Sequence, residues 1–231
     1  MTYQTFTGSE MARRRYWARS HLGWRVIAAA RPNDGHRAVA ALERAGLVSG
    51  VITQNVDGLH QAAGSAAVTE LHGSLHQVRC LACGERTPRA ALQERLRTAN
   101  RHWTASSALI NPDGDAVVTD AEIESFTVVD CASCGGVLKP DVVFFGENVP
   151  QARAAACYER VTSARSLIVL GSSLTVMSGF RYVRHAAKLG LPVVIINQGQ
   201  TRGDQYATVQ LDAPLGETLA ALAVSCAATM R

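Results

Sequence analysis

Apolar residues follow two rhythms along this chain. Between residues 11 and 31 they fall at helical spacing among arginines, with Tyr16, Trp17, Leu22 and Trp24 as packing residues. Arg31-Pro32-Asn33-Asp34-Gly35 breaks that pattern, and Asn33 or Asp34 is placed to cap a second helix. That helix, predicted at 36–45, sets Val39, Leu42 and Ala45 on one face and stops at Gly46. Residues 47–53 read as a short apolar strand, and 65–71 as a brief connection into a second strand edge. Past residue 134 the rhythm changes. Strands predicted at 142–145, 166–170 and 193–196 are apolar throughout, and they alternate with helices at 151–163, after Ser173 up to Lys188, and at 214–223. Gly190-Leu191-Pro192 is a turn. Strands apolar on both faces are buried on both, so the pattern predicts an α/β fold with a parallel sheet covered by helices.

Three of the strands end alike, in Thr53-Gln54-Asn55, Gly171-Ser172-Ser173 and Asn197-Gln198-Gly199. In open α/β sheets, ligands bind outside the carboxyl ends of the strands, where small residues admit a ligand to the backbone. Ser172 and Ser173 are expected to head a helix whose free N–H groups hold a phosphate. Simple turn chemistry explains one such ending, whereas three in one sheet favour a nucleotide-type ligand.

Two Cys-x-x-Cys pairs, Cys80/Cys83 and Cys131/Cys134, interrupt the α/β pattern. Together they complete the four-sulfur tetrahedral shell that Zn²⁺ prefers. The alternative is two local disulfides or one cross-pair staple. The shared spacing, and the glycine after each pair, favour zinc. Four thiolates leave no open coordination position, so this zinc is structural and the chemistry lies elsewhere. His72, in Glu70-Leu71-His72-Gly73, is the nearest candidate. The pairs enclose an insertion with a charged helix, 89–100, and a turn at Asn111-Pro112-Asp113-Gly114. Cys157 and Cys226 stand alone on predicted helices and read as buried packing residues.

Composition narrows the function classes. Hydrophobic content of 47% with 18% charged residues is ordinary for a soluble globular protein. No apolar run reaches transmembrane length, and no secretory signal opens the chain. Six cysteines without an export signal point to a reducing, cytoplasmic setting. The net charge of +4 is carried almost wholly by arginine, Lys139 and Lys188 being the only lysines. That excess is too diffuse to argue for nucleic acid, and neither nucleic acid nor membrane is expected as a partner.

Taken in order, several segments resemble the sirtuins, NAD-dependent protein deacylases. They are Thr53-Gln54-Asn55-Val56-Asp57-Gly58-Leu59-His60, Glu70-Leu71-His72-Gly73, the four cysteines, Lys139-Pro140-Asp141-Val142-Val143-Phe144-Phe145-Gly146-Glu147, Gly171-Ser172-Ser173-Leu174 and Asn197-Gln198-Gly199. Arg15-Tyr16-Trp17-Ala18-Arg19 and Thr87-Pro88-Arg89 resemble the class II subgroup. The resemblance implies a Rossmann-like, doubly wound NAD-binding domain formed by 1–75 and 135–231, with a zinc-binding module at 76–134. It implies cleavage of NAD to nicotinamide and transfer of an acyl group from a modified lysine to ADP-ribose. His72 is then the base acting on a ribose hydroxyl, a task that suits an imidazole. Gln54 is placed at the nicotinamide ribose, with Asn55, Val56 and Asp57 at the nicotinamide pocket. Gly171, Ser172 and Ser173 face phosphate and ribose, Asn197, Gln198 and Gly199 the adenosine ribose, and Leu215 the adenine. The acylated-lysine peptide is expected as an added strand between residues 143–147 and 176–179. Phe144 and Phe145 either line the tunnel around the lysine stem or pack in the core. His60, His76 and His102 read as structural.

One departure stands out. The family's Gly-Ala-Gly-Ile-Ser phosphate loop and Gly-Ile-Pro-Asp-[Tyr/Phe]-Arg segment have no counterpart in the sequence. A start codon placed downstream, or a truncated gene, is the expected reason, and the strands beside the missing one are expected to lack a partner. The alternatives to a deacylase are a catalytically impaired, zinc-stabilised binding protein and a mono-ADP-ribosyltransferase.

Overall fold

Short polar side chains start the first three helices. Thr2 caps α1 (Tyr3–Gly8), and Ser9 caps α2 (Glu10–Ala29) by accepting from Ala12 N. Of the two expected caps it is Asn33 that opens α3 (Asp34–Arg44), and it adds a reciprocal capping box to His36. The computed structural model describes residues 1–105 and 116–229, the side chains of 226–229 excepted. The expected turn at 111–114 and the Cys226 side chain lie outside the described residues. After α3 come β1 (Val51–Thr53), α4 (Leu59–Ala62), β2 (Val68–Glu70), β3 (Gly73–Cys80), β4 (Arg86–Pro88), α5 (Arg89–Ala99) and α6 (Asp120–Ser125). The chain continues through β5 (Leu138–Val142), α7 (Gln151–Thr162), β6 (Leu167–Leu170), α8 (Met177–Lys188), β7 (Val193–Ile196), β8 (Val209–Leu211) and α9 (Leu215–Thr229).

Two compact units result. The first comprises Met1–Ala30, Val56–Gly58 and His72–Asn148, so the N-terminal helices belong with the cysteine-bearing segment. Its sheet is antiparallel, in the order β4-β3-β5, with an irregularity in register between Gly73 and Val78. Phe6, Trp17, Val78, Leu92, Leu96 and Leu138 form its buried core together with Cys80 and Cys131. Trp17 is 1% exposed, and its Nε1 donates to Leu138 O at 3.2 Å, which satisfies the one polar atom that burial would orphan. Asn100, also buried, closes the far side. It donates to Leu96 O and Thr127 O and accepts from Thr127 N.

The second unit comprises Arg31–Asn55, Leu59–Leu71 and Val149–Arg231. Its strands are parallel, as their apolar character predicts. β1 pairs with β2, and separately β6, β7 and β8 pair in that order. Ala38 and Val39 of α3 pack with Leu219 of α9, and Val51 of β1 and Leu170 of β6 both lie against that cluster. The two sheet pieces therefore share a helical layer, yet among the described residues no ladder joins β1 to β6. Among the described residues β1 and β6 therefore each keep an edge without a ladder partner.

Some elements differ from expectation. The strand predicted at 142–145 lies earlier, at β5, because Phe144 leaves the ladder to pack on Phe6 and Tyr16, at ring distances of 5.4 and 5.5 Å. Phe145 makes only an isolated bridge to Thr2. Ser172 and Ser173 do not head α8. The helix starts at Met177 with Val176 at its N-cap, and Ser172 Oγ instead accepts from Leu174 N at 3.2 Å. Buried Leu174 takes φ +56°, a left-handed conformation unusual for a branched side chain, and the chain turns there.

His21 on α2 gives this core a pH signature. Its ring lies 5.7 Å from Phe126, and burial, followed by the Arg89 charge, lowers its pKa from 6.5. The unfolded chain then binds the proton more readily. Stability is complete above the ordinary value and is lost as pH falls through the folded one. Urea midpoints measured from pH 7 to pH 5 should fall in wild type, and fall less in His21→Phe.

Candidate active site and metal centre

Two matched turns aim four sulfurs at one point. Gly84 N donates to Cys80 O at 3.0 Å and Gly135 N to Cys131 O at 2.9 Å, with both glycines at positive φ. The second rung repeats too, Cys80 N to Glu85 O and Cys131 N to Gly136 O. Gly136 is forced to be bare, since a Cβ there would lie 2.8 Å from Cys80 Sγ. All four Sγ atoms fall within 4.8 Å of one another. Cys80 and Cys134 are 3.5 Å apart and Cys83 and Cys131 3.9 Å, far beyond the roughly 2.05 Å of a disulfide. A tetrahedral Zn²⁺ with Zn–S near 2.3 Å needs sulfurs about 3.8 Å apart, which this spacing meets. The backbone N–H of Cys83 leads the hydrogen bonds that hold the Cys80 thiol down to about 6, while Cys131 and Cys134 are raised, so the clustered thiols shift in opposite directions.

His72 is the first residue of the first unit's main segment, just before β3. Its carbonyl accepts from Val143 N at 2.8 Å. Gly73 comes next at φ +85°, with Asp141 O only 2.0 Å from where a Cβ would stand. β5 thus crosses directly over Gly73, and the close approach fixes the backbone beside the imidazole. In the second unit, Leu71 N donates to Thr53 O at 2.8 Å and Leu71 O accepts from Arg153 Nη1 at 3.3 Å.

The segment that meets His72 is itself clamped. Lys139 Nζ lies 2.8 Å from Glu147 Oε2, with the lysine side chain 7% exposed and the glutamate 22%. The same carboxylate oxygen accepts from Phe144 N at 2.7 Å, and Nζ also donates to Val142 O. The pair folds residues 139–147 back on themselves. Breaking it would leave a buried ammonium, at a cost of about 3–5 kcal/mol.

The expected nucleotide residues divide between the two units. In the second, Gln54 Nε2 donates to Ser172 Oγ at 3.1 Å, joining the carboxyl ends of β1 and β6. A Cβ on Gly179 would meet Gln54 Cδ at 2.7 Å, and one on Gly171 would meet Leu215 Cδ1 at 2.5 Å. Asn55 N donates to Thr53 Oγ1, and Ser173 Oγ pairs with Thr175 Oγ1. Asn197 Nδ2 donates to the carbonyls of Gln198 and Gly199, whose turn is anchored by Gly199 N on Asp212 Oδ1 at 3.2 Å. In the first unit, Val56 O accepts from Leu75 N and Asp57 O from His76 Nε2 at 2.9 Å, which sets His76 as a structural tautomer.

A model of the Sir2 family matches residues 2–178. The chain belongs to the Sir2 family. It is 62% identical over 223 residues to NAD-dependent protein deacetylase 1 of Streptomyces coelicolor, covering 96% of this chain and 75% of that protein. It is 48% identical over 214 residues to the mitochondrial NAD-dependent protein lipoamidase sirtuin-4 of Bos taurus, covering 93% and 68%. A solved structure of Sir2Tm bound to a propionylated peptide superposes with TM-score 0.77 at 29% identity, covering 97% of this chain and 82% of that one.

This Sir2 chain carries supporting residues that sequence reasoning missed. Gly179, Arg153, Asp212 and the Lys139–Glu147 pair each hold a candidate residue or its segment in place. Lys139 and Glu147 stand in a quoted motif and Gly179 in the expected substrate segment, but nothing in the sequence showed what each would hold. Among the described residues no helix is long and apolar enough to cross a membrane.

Purified protein should contain one zinc per chain by metal analysis. Stripping it with a strong chelator should lower Tm steeply, since Cys80 and Cys131 belong to the core, and added zinc should restore it. Gly73→Ala should cost at least about 2 kcal/mol by denaturant titration, because both its φ and the Asp141 carbonyl reject a Cβ.

Proposed function

We propose that this chain is an NAD-dependent protein lysine deacylase that releases nicotinamide and passes the acyl group to ADP-ribose. The observation that carries the reading is the Gln54–Ser172 hydrogen bond, which brings amide and hydroxyl groups together at the carboxyl ends of parallel strands. Around it stand Gly171 and Gly179, each closed against a neighbour, with Asn197 and Gln198 at the next strand end. Such a set of small residues, amides and hydroxyls fits a dinucleotide's ribose and carboxamide groups.

When bound, NAD supplies an electrophilic ribose carbon and a ribose hydroxyl. His72 takes the proton of that hydroxyl at an imidazole nitrogen, with its backbone held by Val143 and by the bare Gly73. Gln54 orients the nicotinamide ribose, while Asn55, Val56 and Asp57 receive the nicotinamide end. Gly171, Ser172 and Ser173 face phosphate through backbone and hydroxyl groups rather than through a helix N-terminus. Gly199 completes the adenosine-ribose turn, and Leu215 lies beside the adenine. Acylated lysine proteins are the substrates. Phe144 is held in the core, so Phe145, 70% exposed, is the aromatic ring available to the lysine stem. The zinc-binding domain and the NAD-binding domain keep separate tasks. Thiolates reserved for zinc fit a reducing cytoplasm.

Purified protein given NAD and an acetyl-lysine peptide should release nicotinamide and form acylated ADP-ribose. His72→Ala should lose about 10²–10⁴-fold of that turnover while keeping its zinc. No release from wild type sinks the proposal. Label carried from NAD onto protein, without acylated ADP-ribose, would indicate ADP-ribosyl transfer instead.

A further inference from the structure

Phe145 and Gly146 form the tip of the turn that follows β5, and restraints converge on that tip from several sides. Beneath it, Glu147 Oε2 accepts from Phe144 N at 2.7 Å and lies 2.8 Å from Lys139 Nζ. Glu147 N donates to Phe144 O at 3.0 Å, which closes the turn, and Gly146 takes φ +84° to complete it. From the start of α1, Tyr3 N donates to Phe145 O at 2.9 Å, and Gln4 Nε2 donates to Gly146 O at 3.4 Å. On the inner side, Val143 N donates to His72 O. The Phe144 ring packs inward, 4.6 Å from Nζ, yet the Phe145 ring stays exposed. An exposed ring on so restrained a backbone adds little to the core.

The ion pair beneath the tip adds little stability either. Attraction between buried charges roughly balances their desolvation, and an apolar pair of similar volume often serves a core as well. Lys139 and Glu147 provide something an apolar pair cannot, which is direction. One carboxylate oxygen is fixed between an ammonium and a backbone N–H. It sets the point at which residue 144 turns inward, and so the point at which residue 145 turns out.

We propose that Lys139 and Glu147 are positioning residues for the acylated lysine. Their ion pair holds the Phe145 ring where it lies along the lysine stem, and Val143 ties the same segment to the His72 backbone. This rests on the deacylase reading and names the pair that shapes its peptide site. Gln54, Ser172 and Asn197, assigned to NAD, belong to the second unit, whereas the pair belongs to the first. The pair should therefore act on peptide and not on NAD.

Turnover measured with peptide and NAD varied separately tests this. Lys139→Met combined with Glu147→Gln removes both charges, so neither is left buried alone, and the new amide oxygen can still accept from Phe144 N. Zinc content and circular dichroism establish that the variant is folded. It should raise KM for an acetyl-lysine peptide at least about tenfold and leave KM for NAD within about twofold. Phe145→Ala, at an exposed position, should raise the peptide KM by a similar factor. Added to the double variant it should change little more, because the pair acts through that ring. Glu147→Asp keeps both charges and shortens the reach, so it should raise the peptide KM by a smaller factor, and it decides the matter if the double variant does not fold. A purely structural pair lowers Tm in these variants without moving either KM. That result, or KM for peptide and NAD rising together, overturns the proposal and leaves the deacylase reading standing. No nicotinamide release from wild type overturns both.

Discussion

Four thiolates that must converge on one point determine what the first unit can be. Cys80 and Cys131 are both metal-site residues and members of the buried core that includes Phe6, Trp17 and Leu138. The sulfur tetrahedron therefore does not hang from a finished domain. It closes the core across residues far apart in sequence, which chain entropy otherwise opposes. β3 links this to the chemistry. It ends at Cys80 and begins at Gly73, so the strand that delivers a ligand at one end positions His72 at the other. Eight strand residues span roughly 25 Å, which keeps a closed metal shell well away from His72.

The second unit works by another constraint. Its strands are parallel, so every carboxyl end points the same way within each ladder. Polar residues placed there by the chain come together without long side chains having to reach. Gln54 and Ser172 meet although no ladder joins their strands, because α3 and α9 supply a common layer under β1 and β6. The side-chain bond does locally what backbone pairing does elsewhere.

Much of this was legible because it rests on local rules. Asn33 capping α3, the apolar parallel strands and the glycine turns after each cysteine pair arise from nearest neighbours and periodicity. The failures share a cause. Residues 142–145 look like a strand by composition, but a distant contact with Phe6 and Tyr16 removes Phe144 from the ladder. Ser172 and Ser173 look like a helix start, but Leu174 turns the chain away and delays α8 to Met177. Arg89 is one arginine among many in the sequence, and only tertiary burial between two tryptophans distinguishes it.

Lys139 shows why a rare residue can be informative once its surroundings are known. Arginine supplies nearly all the positive charge of this chain, yet lysine stands where the segment beside His72 folds back. Its Nζ faces the Val142 carbonyl, the Pro140 carbonyl at 3.4 Å and the Glu147 carboxylate at 2.8 Å. Those acceptors surround a point, which suits an ammonium with three rotatable donors. A guanidinium offers its donors in a flat fork and would have to leave part of the set unsatisfied. The Phe144 ring, 4.6 Å from Nζ, covers the remaining side. Geometry of the acceptors, not the need for charge alone, selects lysine at this position.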